Sequence, residues 1–164
     1  MQLARIDPLT IALTQLDPFV CDLLRQIVPS ASPGDHPAAH ARLYSSPSAG
    51  AEPELDADWR EFVEPDLREH FEASRSLVER DLATLQPAGP GEEDSSLHIP
   101  VAHLDSWINA MNQARLTLAE KHGITEQDMR RELTLGDARS FALFQIEFYG
   151  ELQFCFIREV ERKV

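Results

Sequence analysis

Gly136-Asp-Ala-Arg-Ser-Phe-Ala-Leu-Phe-Gln-Ile-Glu-Phe-Tyr-Gly-Glu-Leu-Gln-Phe-Cys-Phe-Ile-Arg-Glu-Val160 is the stretch that decides the fold, and no proline interrupts it. Asp137 stands where an N-cap or first-turn anion belongs, while Arg162 and Lys163 close the other end. Both ends therefore suit a helix dipole. Phe141, Phe144, Phe148, Leu152 and Cys155 step by three or four residues, which traces one helix face. Leu143, Ile146, Tyr149, Phe154, Phe156, Ile157 and Val160 fall off that face. A helix apolar on most sides is normally surrounded, so this one is expected at the centre of a bundle. Glu147, Glu151 and Arg158 keep its apolar run well short of the ~20 residues a membrane span needs.

Working back along the chain, residues 103–122 predict a long helix with Leu104, Trp107, Ile108, Met111, Ala114 and Leu118 as its stripe and Gly123 as C-cap. Thr125 is expected to cap a shorter helix reaching about residue 133. Leu67, Phe71, Ser74, Val78, Leu82 and Leu85 give a second amphipathic helix, preceded by Trp59, Phe62 and Val63. Asp56 or Asp58 is the expected cap of that run. Glu64-Pro65 is expected to break or kink it, because the residue before a proline avoids the α region. Residues 87–94 read as an exposed turn-rich link.

Near the start, residues 10–16 are β-branched and loosely alternating, and predict a short strand. Asp17-Pro18 then starts a helix whose buried side is Val20, Leu23, Leu24 and Ile27 and which Pro29 is expected to stop. Residues 97–101 predict a second strand that pairs with the first, with Pro100 at an edge or strand end. Between them, residues 29–55 hold five prolines and read as a Pro/Ser-rich surface loop with one short helix near residues 38–44. The fold class expected is mainly α: a bundle of four to five main helices around a central C-terminal helix, with a minimal two-stranded β element. Residues 1–164 are expected to form one domain, a size that can bury a core unaided.

The formal charge of −13 is concentrated in residues 51–95, where 14 acidic residues face 4 basic ones. Such a field repels phosphate backbones and disfavours non-specific nucleic-acid binding. Cys21 and Cys155 form no disulfide framework, and both sit in apolar helical patterns where a cysteine is usually a small buried hydrophobe. The N-terminus carries no long apolar segment with a cleavage pattern, so a cytoplasmic protein is expected.

The run Trp107-Ile-Asn-Ala-Met-Asn-Gln-Ala-Arg-Leu-Thr-Leu-Ala-Glu-Lys-His-Gly-Ile-Thr-Glu126 resembles the bacterial domain-of-unknown-function family numbered two thousand and seventeen. Glu61-Phe-Val-Glu-Pro-Asp-Leu-Arg68 is similar to that family's mid-chain signature, residues 13–19 to its opening strand-to-helix junction, and residues 149–157 more loosely to its last helix. Genes of the family often lie beside the adaptor of the Clp protease in actinobacteria, and some members are described as redox-responsive regulators. The resemblance implies a small intracellular regulatory or interaction protein. It carries no catalytic residue over, and a redox role would need a close cysteine pair that this sequence does not offer.

His36 and His40 are spaced to share a helix face, yet no third ligand accompanies them and His36-Pro37 weakens a helix there. No histidine has a glutamate three residues before it, so the di-iron bundle signature is missing. Glu61, Glu64, Asp66 and Glu69 crowd Pro65, as a wet helix N-terminus would, or as a divalent-cation site would. Asn112 and Arg115 border the Trp107–Met111 stripe and are expected as structural polar contacts, reaching another backbone, Glu64 or Asp66.

Glu61, Glu64, Asp66, Glu69, Asn112 and Arg115 are therefore the candidate partner-binding or structural polar cluster. No catalytic, cofactor-binding or metal residue is assigned, and no cofactor is expected. The function expected is a non-enzymatic regulatory or adaptor module that binds another protein. Its contact surface would be the acidic helix of residues 56–81 or the loop before it. The alternatives are a transcription or stress regulator, and a metal-dependent enzyme using the carboxylate cluster. A homodimer is a further expected partner; a membrane is not.

Overall fold

The computed structural model describes residues 1–48, 50–86, 94–130 and 136–162. The chain opens with a hairpin of β1 (Gln2–Asp7) and β2 (Thr10–Leu16). Asp7 Oδ1 accepts from Leu9 N at 2.7 Å and so closes the turn around Pro8. β3 (Ser95–Pro100) pairs antiparallel with the other side of β2, giving a three-stranded sheet in the order β1-β2-β3. β2 and β3 match the two expected strands, and β1 adds a third: its residues are mostly exposed, and their apolar alternation is too weak to mark a strand. Pro100 ends β3, where its missing N–H costs no ladder bond.

β2 is the buried strand, with Ile11, Ala12, Leu13 and Leu16 almost wholly covered. It leaves the sheet through a bulge between Leu13 and Leu16, where Gln15 has φ +55°. This is the left-handed region that side chains other than glycine rarely enter. Asp17 then caps α1 (Pro18–Arg25), its side chain accepting from Val20 N at 2.8 Å. Pro29 does not end this region. The helix turns at Gln26 instead and α2 (Ile27–Ala31) carries Pro29 in its first turn, where no intrahelical N–H is required.

The long connection is more ordered than expected. It holds α3 (Pro37–Leu43), the short helix read from the sequence, and α4 (Pro53–Asp58). Asp56 does not cap α4 but sits inside it, buried. Residues 59–63 form one π-turn, and α5 (Glu64–Leu82) continues directly from it. Pro65 thus shifts the helix rather than breaking it. Pro65 has no N–H for the Glu61 carbonyl, and the Glu64 N–H bonds back to Trp59 O, the five-residue step of a π-turn.

α6 (Leu104–His122) lies at the centre of the bundle, packed on α2, α3, α5 and α7 (Ala138–Glu161). The expectation that the C-terminal helix is surrounded is corrected by this arrangement. α7 buries one face on α6 and leaves Phe154 57% and Ile157 39% exposed. Its buried face is also not the phenylalanine face read from the sequence. Leu143, Ile146, Tyr149, Leu152 and Phe156 point inward, while Phe141, Phe144 and Phe148 are half-buried and Cys155 is exposed. Gly123 ends α6 in the left-handed conformation, with Ile124 N bonding Ala119 O at 2.9 Å. Among the described residues, the segment after it holds one 3-10 turn at Asp128–Arg130. The remainder of the short helix expected there, most of the 87–94 link, Leu135 and Lys163 lie outside the described residues.

One core joins sheet and helices. Ile11, Leu13, Leu97 and Ile99 from the sheet meet Trp107, Met111, Tyr149 and Phe156. The Trp107 and Phe156 rings meet edge to face, 5.8 Å between centroids. No helix among the described residues is long and apolar enough to cross a membrane.

Candidate functional site

α3, the π-turn and the start of α5 enclose a cleft of about 310 Å³ lined by His40, Tyr44, Asp56, Trp59, Arg60 and Glu64 among others. Its Asp56, Glu64 and His40 are engaged by neighbouring side chains. Asp56 accepts from Ser48 Oγ at 2.5 Å. Hydrogen bonds from Ser46 and Ser48, with Arg60 nearby, hold its carboxyl below the usual range and keep it anionic. Arg68 donates from Nε to Glu64 Oε1 at 2.9 Å and pairs with it through Nη2 as well. Arg68 Nη2 also lies 2.7 Å from His40 Nε2, and its guanidinium stacks 4.2 Å over the Tyr44 ring. A guanidinium only donates, so His40 Nε2 is the acceptor there. Trp59 Nε1 donates to Tyr44 O at 3.4 Å. The cleft is thus a latch that fixes α3 and the loop after it to α5.

This placement sorts the carboxylates read from the sequence. Glu64 is engaged in the latch, and Glu61, Asp66 and Glu69 are exposed. His36 and His40 are not a shared ligand pair. His36 Nδ1 accepts from Ala39 N at 3.2 Å as the cap of α3, while His40 faces Arg68. Among the described residues no group of three histidine, cysteine or carboxylate side chains is placed to hold a metal ion. Asn112 and Arg115 do not reach Glu64 or Asp66. Asn112 is exposed, and Arg115 turns to α7, where Nη1 donates to Gln153 Oε1 at 2.7 Å.

A polar nucleus between α5 and α6 lies outside the sites expected from the sequence. Asp81 is buried, Trp107 Nε1 donates to its Oδ2 at 2.8 Å, and His103 Nδ1 lies 3.0 Å from both of its oxygens. Nearly two turns along, Arg75 Nη1 donates to the fully buried Gln113 at 2.6 Å. The signal was available: Asp81 falls in step with Ser74 and Val78 on the inward stripe.

The outer side of residues 52–72 is the other distinctive feature. This segment carries nine acidic and two basic residues. Glu52, Glu54, Asp58, Glu61, Asp66, Glu69 and Glu72 are exposed. Among them stand three uncovered apolar side chains, Leu55 at 43%, Phe62 at 64% and Val63 at 41% exposure. The π-turn contributes to this, since Phe62 and Val63 lie within it and turn away from the core that Leu67 and Phe71 approach. The arrangement is an acidic ridge with an apolar crest.

A family model described as a domain of unknown function (DUF2017) matches residues 6–159. No curated protein and no solved structure matches the chain.

Proposed function

We propose, for a chain that belongs to the domain-of-unknown-function family DUF2017, a protein-binding role in which the acidic ridge receives a basic, partly apolar segment of another protein. The observation that carries this reading is Phe62, 64% exposed on a segment whose exposed charges, Arg60 apart, are acidic. An aromatic side chain left in water gains by burial in a partner, and the surrounding carboxylates select a basic one and speed its approach. The cleft beneath the ridge favours the same reading over catalysis. Its Asp56, Glu64, Arg68 and His40 are already paired, which holds the ridge rigid. The role is that of a non-enzymatic regulator or adaptor.

The test is a pull-down from the source cells at two salt concentrations, with the wild-type chain beside two variants. One carries Phe62→Ala and the other charge reversal at Glu61, Glu69 and Glu72. A partner held at low salt, weakened at high salt and lost from both variants supports the ridge. A partner retained equally by both variants removes this surface from the proposal.

A further inference from the structure

The outer face of α7 carries charges in an order that inverts about its own midpoint. Glu147 and Glu151 precede Phe154 and Cys155, and Arg158 and Arg162 follow them. At roughly 100° per residue these six side chains fall within an arc of roughly 100° on the helix. Glu151, Phe154, Cys155, Arg158 and Arg162 are exposed, and Phe154 and the adjacent Ile157 are 57% and 39% uncovered. This face lies on α7, apart from the acidic ridge of α4 and α5.

We propose that this face is the contact between two copies of the chain, with their α7 helices antiparallel about a two-fold axis between Phe154 and Cys155. A two-fold contact must be self-complementary. Antiparallel pairing about that axis sets Glu151 opposite Arg158 of the second copy and Glu147 opposite Arg162, each twice. Arg162 donates to Glu159 at 2.6 Å within its own chain yet keeps 63% of its side chain exposed for the second contact. Glu161 lies at the edge of the face, level with Phe148 of the second copy rather than with a carboxylate. A parallel pairing would set Glu151 against Glu151 and Arg158 against Arg158, so the charge order selects the antiparallel one. At the axis Phe154 of each copy covers Phe154 of the other on one side of the contact, and the two Cys155 approach each other on the opposite side. The net charge of −13 opposes association at low salt, so the contact forms best at physiological ionic strength, where charges separated by more than about 8 Å are screened. One helix pair buries an area at the small end of specific interfaces, below about 1,200 Å², and the dimer is a weak one.

The experiment is sedimentation equilibrium from micromolar to millimolar protein at physiological salt. It compares wild type, Glu151→Arg, Arg158→Glu and the double variant Glu151→Arg/Arg158→Glu. Both substituted positions are exposed, and circular dichroism checks that each fold is kept. The wild type is expected to dimerise, each single variant to dimerise about tenfold more weakly, and the double variant to return to near the wild-type constant. A short bismaleimide should also cross-link the wild-type dimer through Cys155, because Cys21 is only 3% exposed, and Cys155→Ser should abolish the cross-link. A chain monomeric throughout, single variants that dimerise as wild type does, a double variant that fails to recover, or no cross-link would each overturn the proposal. None of these outcomes bears on the acidic ridge, whose own variants leave α7 untouched.

Discussion

The indole Nε1 of Trp107 donates to Oδ2 of Asp81 across 2.8 Å, so the largest buried side chain of the central helix is tied to a carboxylate on α5. Asp81→Ala would leave that N–H buried without an acceptor, and the expected loss is about 1–3 kcal/mol in chemical denaturation. The Asn variant keeps an oxygen for the indole and should lose less. Equal losses for the two variants would show that the hydrogen bond is not what Asp81 contributes.

Asp128 links the turn after α6 to the first turn of α7. Its Oδ2 accepts from Thr125 N at 2.9 Å and Thr125 Oγ1 at 2.8 Å, and pairs with Arg139 at 2.8 Å. The Thr125 backbone N–H, then Arg139, hold its carboxyl far below the ordinary value. A depressed carboxylate stabilises the fold above its unfolded pKa and loses that contribution as pH falls through the acid range below about 4. Asp128→Asn is expected to lower the denaturation midpoint at neutral pH and to flatten its fall in acid. Parallel curves for the two proteins would contradict this.

Tyr149 donates its hydroxyl to Leu23 O at 2.9 Å from a fully buried position in α7. Burial pushes its phenol up to about 12. The folded chain therefore holds this proton where the unfolded one releases it, and stability should decline as pH rises from about 10 toward 12. A tyrosinate absorbance titration should show a late phase that Tyr149→Phe removes. The same variant should cost about 1 kcal/mol at neutral pH through the lost hydrogen bond.

Gln15 holds φ +55° at the bulge where β2 hands the chain to α1. A β-branched residue fits that conformation worst, so Gln15→Val should destabilise by roughly 1–2 kcal/mol, while Gln15→Asn should be neutral or better. Thermal unfolding of the two variants distinguishes this backbone effect from a requirement for the glutamine side chain.

The amphipathic elements were legible in the sequence because each has one apolar side. The stripes of α5 and α6 appear in the structure largely as their periodicity predicts, as do β2, the Asp17 cap and the Gly123 cap. α7 was harder because several of its faces are apolar. What selects among them is the shape of its neighbours: Phe156 meets the edge of Trp107, and the Tyr149 hydroxyl finds the end of α1. That choice also sets Cys155 outward, against the expectation from its apolar surroundings. Of the carboxylate cluster around Pro65, Glu64 alone has a partner among the described residues, because Arg68 lies one turn along on the same side. Its latch partners His40 and Tyr44 come from a segment whose prolines read as loop.

The π-turn at residues 59–63 holds one residue more than a regular helical turn. Its wider turn carries that residue through about the same angle that a regular turn sweeps without it. The upstream part of the rod therefore keeps the phase that sets Asp56 against Ser48 and leaves Leu55 beside the acids. A residue inserted into the regular part of α5 would have no such slack, and would rotate everything upstream by roughly 100° about the axis. The π-turn is thus the place where this rod absorbs residue count.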